Sequence, residues 1–270
     1  MPQLTVNGAR HHYRLEGVPG RQPLVLVHPI GADLSLWDLA VPYLLPHFQV
    51  LRYDLRGHGG SEATPGEYTI ELLASDLIEI ASAVGWGEFS VCGVSVGAMT
   101  AAMAAALEPQ RVRSLVVCSA APHMHAPPGG WDARAAAARS SGMQSLAGPM
   151  VERMFSADFR QTGHPHIETL RTVFLSMAPE GYASTVAVLR DADITSDLPT
   201  IKARTLIVTG NADPLVAPSA SIAFQEGIHG SRHEEVSTGH FPPVEAPEHF
   251  ASLVTTHAQQ VTSRCPPNIH

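Results

Sequence analysis

The sequence predicts an α/β protein: a mostly parallel central sheet, helices on both faces, and a helical insertion near its middle. Three observations predict it. Continuous apolar runs, Pro23–Val27 and Ser114–Cys118 among them, read as strands buried on both faces. Helical stretches alternate with them, as a parallel sheet needs to return the chain between strands. The alternation stops from about residue 121 to about residue 200 and then resumes at Thr205.

Taken in order, Leu4–Val6 and His12–Leu15 read as two edge strands joined by the turn residues Asn7-Gly8. Pro23–Val27 is a buried strand, and Val50–Tyr53 a shorter one that runs into Asp54. Tyr68–Ala83 has helical period, with Ile70, Leu72, Leu73, Leu77, Ile78 and Ile80 marking its apolar face. Phe89–Cys92 is a strand, Ser95–Leu107 an Ala-rich helix stopped by Pro109, and Ser114–Cys118 another buried strand. Ala121–Gly130 is broken by three prolines and two glycines, and from Trp131 to about Leu198 only helices and loops are expected. Strands return at Thr205–Val208 and, weakly, at His233–Val236, before a last amphipathic helix at Pro247–Val261. The expected organisation is a core of residues 1–120 and 200–270 around a helical lid at 121–199. No repeat or low-complexity tract interrupts it.

Composition narrows the function classes. The chain has 270 residues, 44% hydrophobic and 16% charged, enough to bury a sizeable core and too apolar for a disordered segment. Its net charge of −8 and lack of a basic cluster argue against a nucleic acid partner. Mean hydropathy is +0.04, and no run approaches the ~18 apolar residues of a membrane span. The start, Met1-Pro2-Gln3-Leu4-Thr5, has neither the basic nor the apolar region of a secretory signal. Cys92, Cys118 and Cys265 are odd in number, and the first two sit in apolar segments, so they are expected to be reduced in a cytoplasmic protein.

Gly93-Val94-Ser95-Val96-Gly97 matches G-x-S-x-G between a predicted strand and a predicted helix. Such a turn holds a serine hydroxyl above the sheet edge, at a helix N-terminus that favours developing negative charge. The flanking glycines leave room for neighbouring backbone. A serine hydroxyl needs a base to take its proton. Of 15 histidines, His240 is the candidate, in the loop between the last strand and the last helix. Asp213, just past the strand at 205–208, is the candidate orienting acid, although an Asp there also suits a plain turn. An oxyanion needs two backbone donors: Val96 after the serine, and Ile30 in the loop His28-Pro29-Ile30-Gly31, where Pro29 has no N–H. The turn Asp54-Leu55-Arg56-Gly57-His58-Gly59-Gly60-Ser61 lacks the Lys-Ser/Thr of a phosphate loop and reads as structural. His123-x-His125 and His164-x-His166 have no third ligand nearby, and no dinucleotide fingerprint follows a strand, so no metal or cofactor is expected.

The chain order Ser95, Asp213, His240 and these motifs resemble the α/β-hydrolase superfamily and, within it, the 3-oxoadipate enol-lactonases of aromatic catabolism. The resemblance runs nearly end to end. It includes Gly31–Trp37, Val50–Gly59, Tyr68-Thr69-Ile70-Glu71 and the serine turn, and in the lid Glu180-Gly181-Tyr182-Ala183-Ser184 and Asp191-Ala192-Asp193-Ile194. The chain departs from those lactonases in Val96-Gly97-Ala98 after the serine, where they often carry Met or Leu and then Gly-Gly, and in the His28-Pro29 loop. The resemblance implies a serine hydrolase of a small-molecule lactone or ester. A broad carboxylesterase, a C–C bond hydrolase of the same fold and a non-catalytic ligand receptor or scaffold stay open, as does a homo-oligomer. An enol-lactone of that pathway carries a free carboxylate, and the lid cations Arg134, Arg139, Arg153, Arg171 and Arg190 could hold it. Each taken alone reads as solvated. Arg134 is favoured because it lies one helical turn after Trp131. By the resemblance Trp131 lines the pocket; an apolar anchor of lid to core suits it equally.

Overall fold

A computed structural model describes residues 2–260; Cys265, His270 and the expected helix end at Val261 lie outside the described residues. Strands β1 (Gln3–Val6) and β2 (Ala9–Glu16) form an antiparallel hairpin across Asn7-Gly8. After β3 (Gln22–Val27) and the short helix α1 (Val41–Leu44) come β4 (Phe48–Tyr53), α2 (Ile70–Ala83), β5 (Phe89–Val94), α3 (Val96–Leu107) and β6 (Val112–Cys118). Five helices follow: α4 (Gly130–Ser141), α5 (Gln144–Met154), α6 (Ala157–Gln161), α7 (Pro165–Ser176) and α8 (Pro179–Asp191). The sheet then resumes with β7 (Arg204–Gly210), α9 (Pro218–Gly227), β8 (Arg232–Val236), α10 (Pro242–Glu245) and α11 (Pro247–Gln259).

The eight strands form one sheet in the order β1-β2-β4-β3-β5-β6-β7-β8. From β4 onward every pairing is parallel. Only β1 of the first hairpin is an edge strand, against the expectation of two. The reason lies in the length of β2. Ala9–His12 pair with β1, whereas Tyr13–Glu16 pair antiparallel with β4, so one strand spans two neighbours.

The helices form where period and caps direct them. Thr69 caps α2 by accepting the Leu72 N–H at 3.2 Å, and Leu73, Leu77 and Ile80 are fully buried. Each such side chain stabilises the fold by about 1.5–3 kcal/mol on burial. Helix α3 begins one residue later than expected, because Ser95 itself is not helical. Its alanines are buried almost throughout. Helices α1, α9 and α10 were not legible: α1 and α10 are each a single turn, too short to show a period.

The helices between β6 and β7 are tied to the strands' loops at several points. The Tyr68 N–H donates to Ser184 O at 3.1 Å, and Ile194 N–H to Pro122 O at 3.0 Å. Gly181 lies against Gly57 so closely that a Cβ on either would run into the other's backbone. Glu245 accepts from Ser156 N–H at 3.0 Å and Ser156 Oγ at 2.6 Å, joining the start of α6 to the chain just after His240. The polar turn after β4 is filled by its own chain: the Asp54 carboxylate accepts from Leu34 N–H, Gly60 N–H and His12 Nδ1 at 2.7–2.8 Å.

Candidate active site

Ser95 sits between β5 and α3 with φ 55° and ψ −123°, a strained conformation for a residue with a Cβ. Its neighbours enforce this. A Cβ on Gly93 would strike Gly97 O, and one on Gly97 would strike the carbonyls of Val27 and His28. Ser95 N–H donates to Cys118 O at 2.9 Å, so the turn is also held from β6. The Ser95 hydroxyl has no hydrogen-bond partner among the described residues, which leaves it free toward the cavity it lines. Val96 opens α3, so its N–H has no carbonyl one turn back.

His240 and Asp213 meet across the loops after β8 and β7. His240 Nδ1 donates to Asp213 Oδ2 at 2.8 Å, and both side chains are buried. The other Asp213 oxygen accepts from Leu215 and Val216 N–H at 2.8 and 3.0 Å, which fixes the carboxylate. Ala212 N–H donates to Thr238 O at 3.0 Å and ties the two loops together. With its proton on Nδ1, His240 presents Nε2 as an acceptor.

Ile30 lies in the loop after β3. Pro29 has no N–H, and Gly31 N–H is committed to His58 Nε2 at 3.3 Å, so Ile30 supplies the loop's free donor. Two buried histidines that the sequence reading left without a role hold this loop. His28 Nε2 accepts from Leu55 N–H at 2.9 Å, and its Nδ1 donates to Pro29 O at 2.8 Å. His58 Nδ1 donates to Arg56 O at 3.1 Å. The loops after β3 and β4 are thus cross-tied, each giving an imidazole acceptor to the other's backbone. Burial lowers His28 to about 4 and His58 to about 3, so both rings stay neutral as the ties require.

Ser95, His240 and Ile30 line one cavity of about 370 Å³ with Trp131, Arg134 and Arg153. Trp131 lines this cavity and is buried in the core. Arg134 Nε donates to Tyr182 Oη at 2.6 Å, and its guanidinium lies 5.6 Å from the centre of that ring. Arg153 is the second arginine of the cavity, named from the sequence as one of five candidate cations but not favoured there, because nothing in its own helix marks it. Of the other arginines named from the sequence, Arg139 pairs with Glu180, Arg171 with Glu168, and Arg190 with Glu67, Asp132 and Asp191. Neither Arg134 nor Arg153 pairs with a carboxylate among the described residues. Cys92 and Cys118 are buried free thiols, and burial pushes both away from the thiolate.

A larger cleft of about 820 Å³ lies at the opposite, N-terminal ends of β6–β8, among Arg113, Lys202 and Arg232. It holds none of the candidate residues, and ligands of open parallel sheets bind at the strands' carboxyl ends. Among the described residues no three His, Cys, Asp or Glu side chains gather to hold a metal, and no helix is long and apolar enough to cross a membrane.

The family profile described as alpha/beta hydrolase fold matches residues 22–158. The chain belongs to the α/β-hydrolase family. This α/β-hydrolase is 28% identical to 3-oxoadipate enol-lactonase 2 of Acinetobacter baylyi, covering 93% of this chain and 94% of that one. It superimposes on the enol-lactonase from Burkholderia xenovorans with a TM-score of 0.92 and 34% identity, covering 96% of this chain and all of the other. A thermophilic esterase from Thermogutta terrifontis, solved with malate bound, matches with a TM-score of 0.89 and 26% identity over 97% of this chain and 99% of that one. The α/β-hydrolase fold and the enol-lactonase likeness read from the sequence therefore both hold.

Proposed function

We propose that this α/β-hydrolase opens a small enol-lactone of the 3-oxoadipate type through Ser95, His240, Asp213 and an acyl-enzyme. Carboxylic ester hydrolysis, of lactones or linear esters, is the activity it shares with its enol-lactonase and esterase relatives. One observation carries the finer reading. A strained serine, a histidine held by a buried carboxylate, and two guanidinium groups without carboxylate partners all line the same cavity.

His240 Nε2 takes the proton of Ser95 Oγ as that oxygen attacks the lactone carbonyl. Asp213 keeps the other proton on Nδ1 and stabilises the imidazolium. The oxyanion is met by the N–H groups of Ile30 and Val96. The ring C–O bond breaks, the enol oxygen recovers the proton from His240, and the enol tautomerises to a ketone. An enol is a better leaving group than an alkoxide, so little acid assistance is needed. Water then gives a proton to His240 and attacks the acyl-enzyme, releasing the acid and restoring Ser95. Arg134, steadied by Tyr182, together with Arg153, binds the substrate's free carboxylate and offsets the chain's net charge of −8. The helices from α4 to α8 act as the lid over the cavity, and no metal or cofactor enters the cycle.

The test is turnover of 3-oxoadipate enol-lactone with labelling by a fluorophosphonate. The wild type is expected to hydrolyse the lactone and to be labelled on Ser95. Ser95→Ala should lose both, with kcat down by roughly 10⁴-fold or more. Lactone turnover undiminished in Ser95→Ala would overturn the mechanism, and labelling without lactone turnover would overturn the substrate.

A further inference from the structure

A second chamber of about 260 Å³ adjoins the catalytic cavity. The two share Pro127, Pro128, Met154 and Leu215, together with the guanidinium-bearing Arg134 and Arg153. The arginines therefore stand at a passage between two spaces. Beyond them the walls come from α4 and α5. Ala133 and Ala137, one helical turn apart, face Leu146 and Met150. Apart from the two arginines, no side chain lining this chamber offers a hydrogen bond. Met150 is buried and Ala133 is exposed, so the chamber runs from the interior toward solvent.

We infer that this chamber is part of the substrate site and receives an unbranched apolar arm of a carboxylated lactone or ester. The inference rests on the hydrolase reading above. Its physical basis is what the walls can and cannot satisfy. An anion entering from the catalytic cavity is met at the passage by Arg134 and Arg153 and goes no further, since nothing beyond them solvates charge. A polar arm would lose its water bonds in the chamber and find no partners. An alkyl arm loses nothing there and gains by leaving water. The alanines keep the chamber open, because any longer side chain at Ala137 would occupy it. The preferred substrates are thus amphipathic: a scissile carbonyl at Ser95, a carboxylate at the two arginines, and an alkyl arm between α4 and α5.

The experiment compares enol-lactone carboxylates carrying n-alkyl substituents from methyl to hexyl with the unsubstituted compound. In the wild type, KM is expected to fall about fourfold per added methylene over the first members, the value for burying one methylene. The gain then levels off as the arm reaches the solvent end at Ala133. In Ala137→Leu, and independently in Ala133→Leu, the ratio of hexyl to methyl kcat/KM should drop toward one. A wild type that hydrolyses the unsubstituted lactone with a flat or rising KM series would overturn the chamber's role and leave the hydrolase reading standing. Variants that slow every member by the same factor would also overturn it, since that marks structural damage. A wild type that hydrolyses no member would overturn both.

Discussion

Asp213 divides its carboxylate between two tasks, one oxygen holding His240 Nδ1 and the other held by Leu215 and Val216 N–H. Asp213→Asn keeps the shape and replaces an acceptor with a donor, so the imidazole is turned to the wrong tautomer. We expect kcat for lactone hydrolysis to fall by about 10³–10⁴-fold with KM little changed, measured by steady-state kinetics; a loss below tenfold would remove Asp213 from the mechanism. Arg134 belongs to the same scale. Arg134→Ala should raise KM for a carboxylated lactone by about tenfold, equal to ~1.4 kcal/mol, and leave a neutral ester nearly unaffected. Tyr182→Phe removes the hydroxyl that accepts from Arg134 Nε while keeping the ring under the guanidinium. It should give the same selective effect at smaller size. Equal losses on both substrates would assign these residues to folding alone. The serine turn was legible in the sequence because its geometry needs glycines at fixed spacing. Arg153 was legible only as one of five candidate cations, because a guanidinium's role depends on which carboxylates reach it, and pairing across elements leaves no local signal.

Elements meet here through close backbone approach. Helix α8 docks on the turn after β4 where Gly181 abuts Gly57, and the next residue, Tyr182, holds Arg134. Gly181→Ala places a methyl group against backbone that cannot yield. We expect it to cost about 1–3 kcal/mol of stability and to raise KM for the carboxylated lactone, because displacing α8 moves Tyr182. Gly148→Ala is the control: a Cβ there meets nothing, and α5 should gain up to about 1 kcal/mol. Thermal melts and KM for both variants check this; equal melting shifts would show that the α8 contact is not tight. Strands β3 to β7 were legible in sequence because strands buried on both faces read as apolar runs; β1 and β2, half-exposed, were legible from the turn Asn7-Gly8 between them, and β8, in which only Val236 is buried, only weakly. The role of β2 was not legible, since pairing one half with β1 and the other with β4 is settled by register across the sheet. Within Glu180–Ser184, Glu180, Gly181, Tyr182 and Ser184 meet Arg139, Gly57, Arg134 and Tyr68 respectively, contacts between elements that the sequence alone does not show.

For the whole molecule, the buried histidines make stability depend on acid. His28, His58 and His257 are lowered to about 4, 3 and 4, in each case chiefly by burial, whereas an unfolded histidine titrates at about 6.5. Between those limits the unfolded chain binds protons that the fold excludes. The stability these groups permit is therefore fully present above about pH 6.5 and is lost as pH falls toward their folded values. Each contributes a slope of up to about 1.4 kcal/mol per pH unit in that window. The loss reaches the site directly, because protonated His58 would turn its Nε2 acceptor into a donor facing Gly31 N–H, and protonated His28 would do the same to Leu55 N–H. The loop that carries Ile30 would then lose both of its cross-ties together. His58→Gln supplies a side-chain acceptor that does not titrate. Urea unfolding measured from pH 7 to pH 4 should show stability falling in the wild type and falling less steeply in His58→Gln, whatever the variant's stability at pH 7. Parallel slopes would mean that His58 takes up its proton in the folded chain as readily as in the unfolded one, and that acid reaches the site by another route.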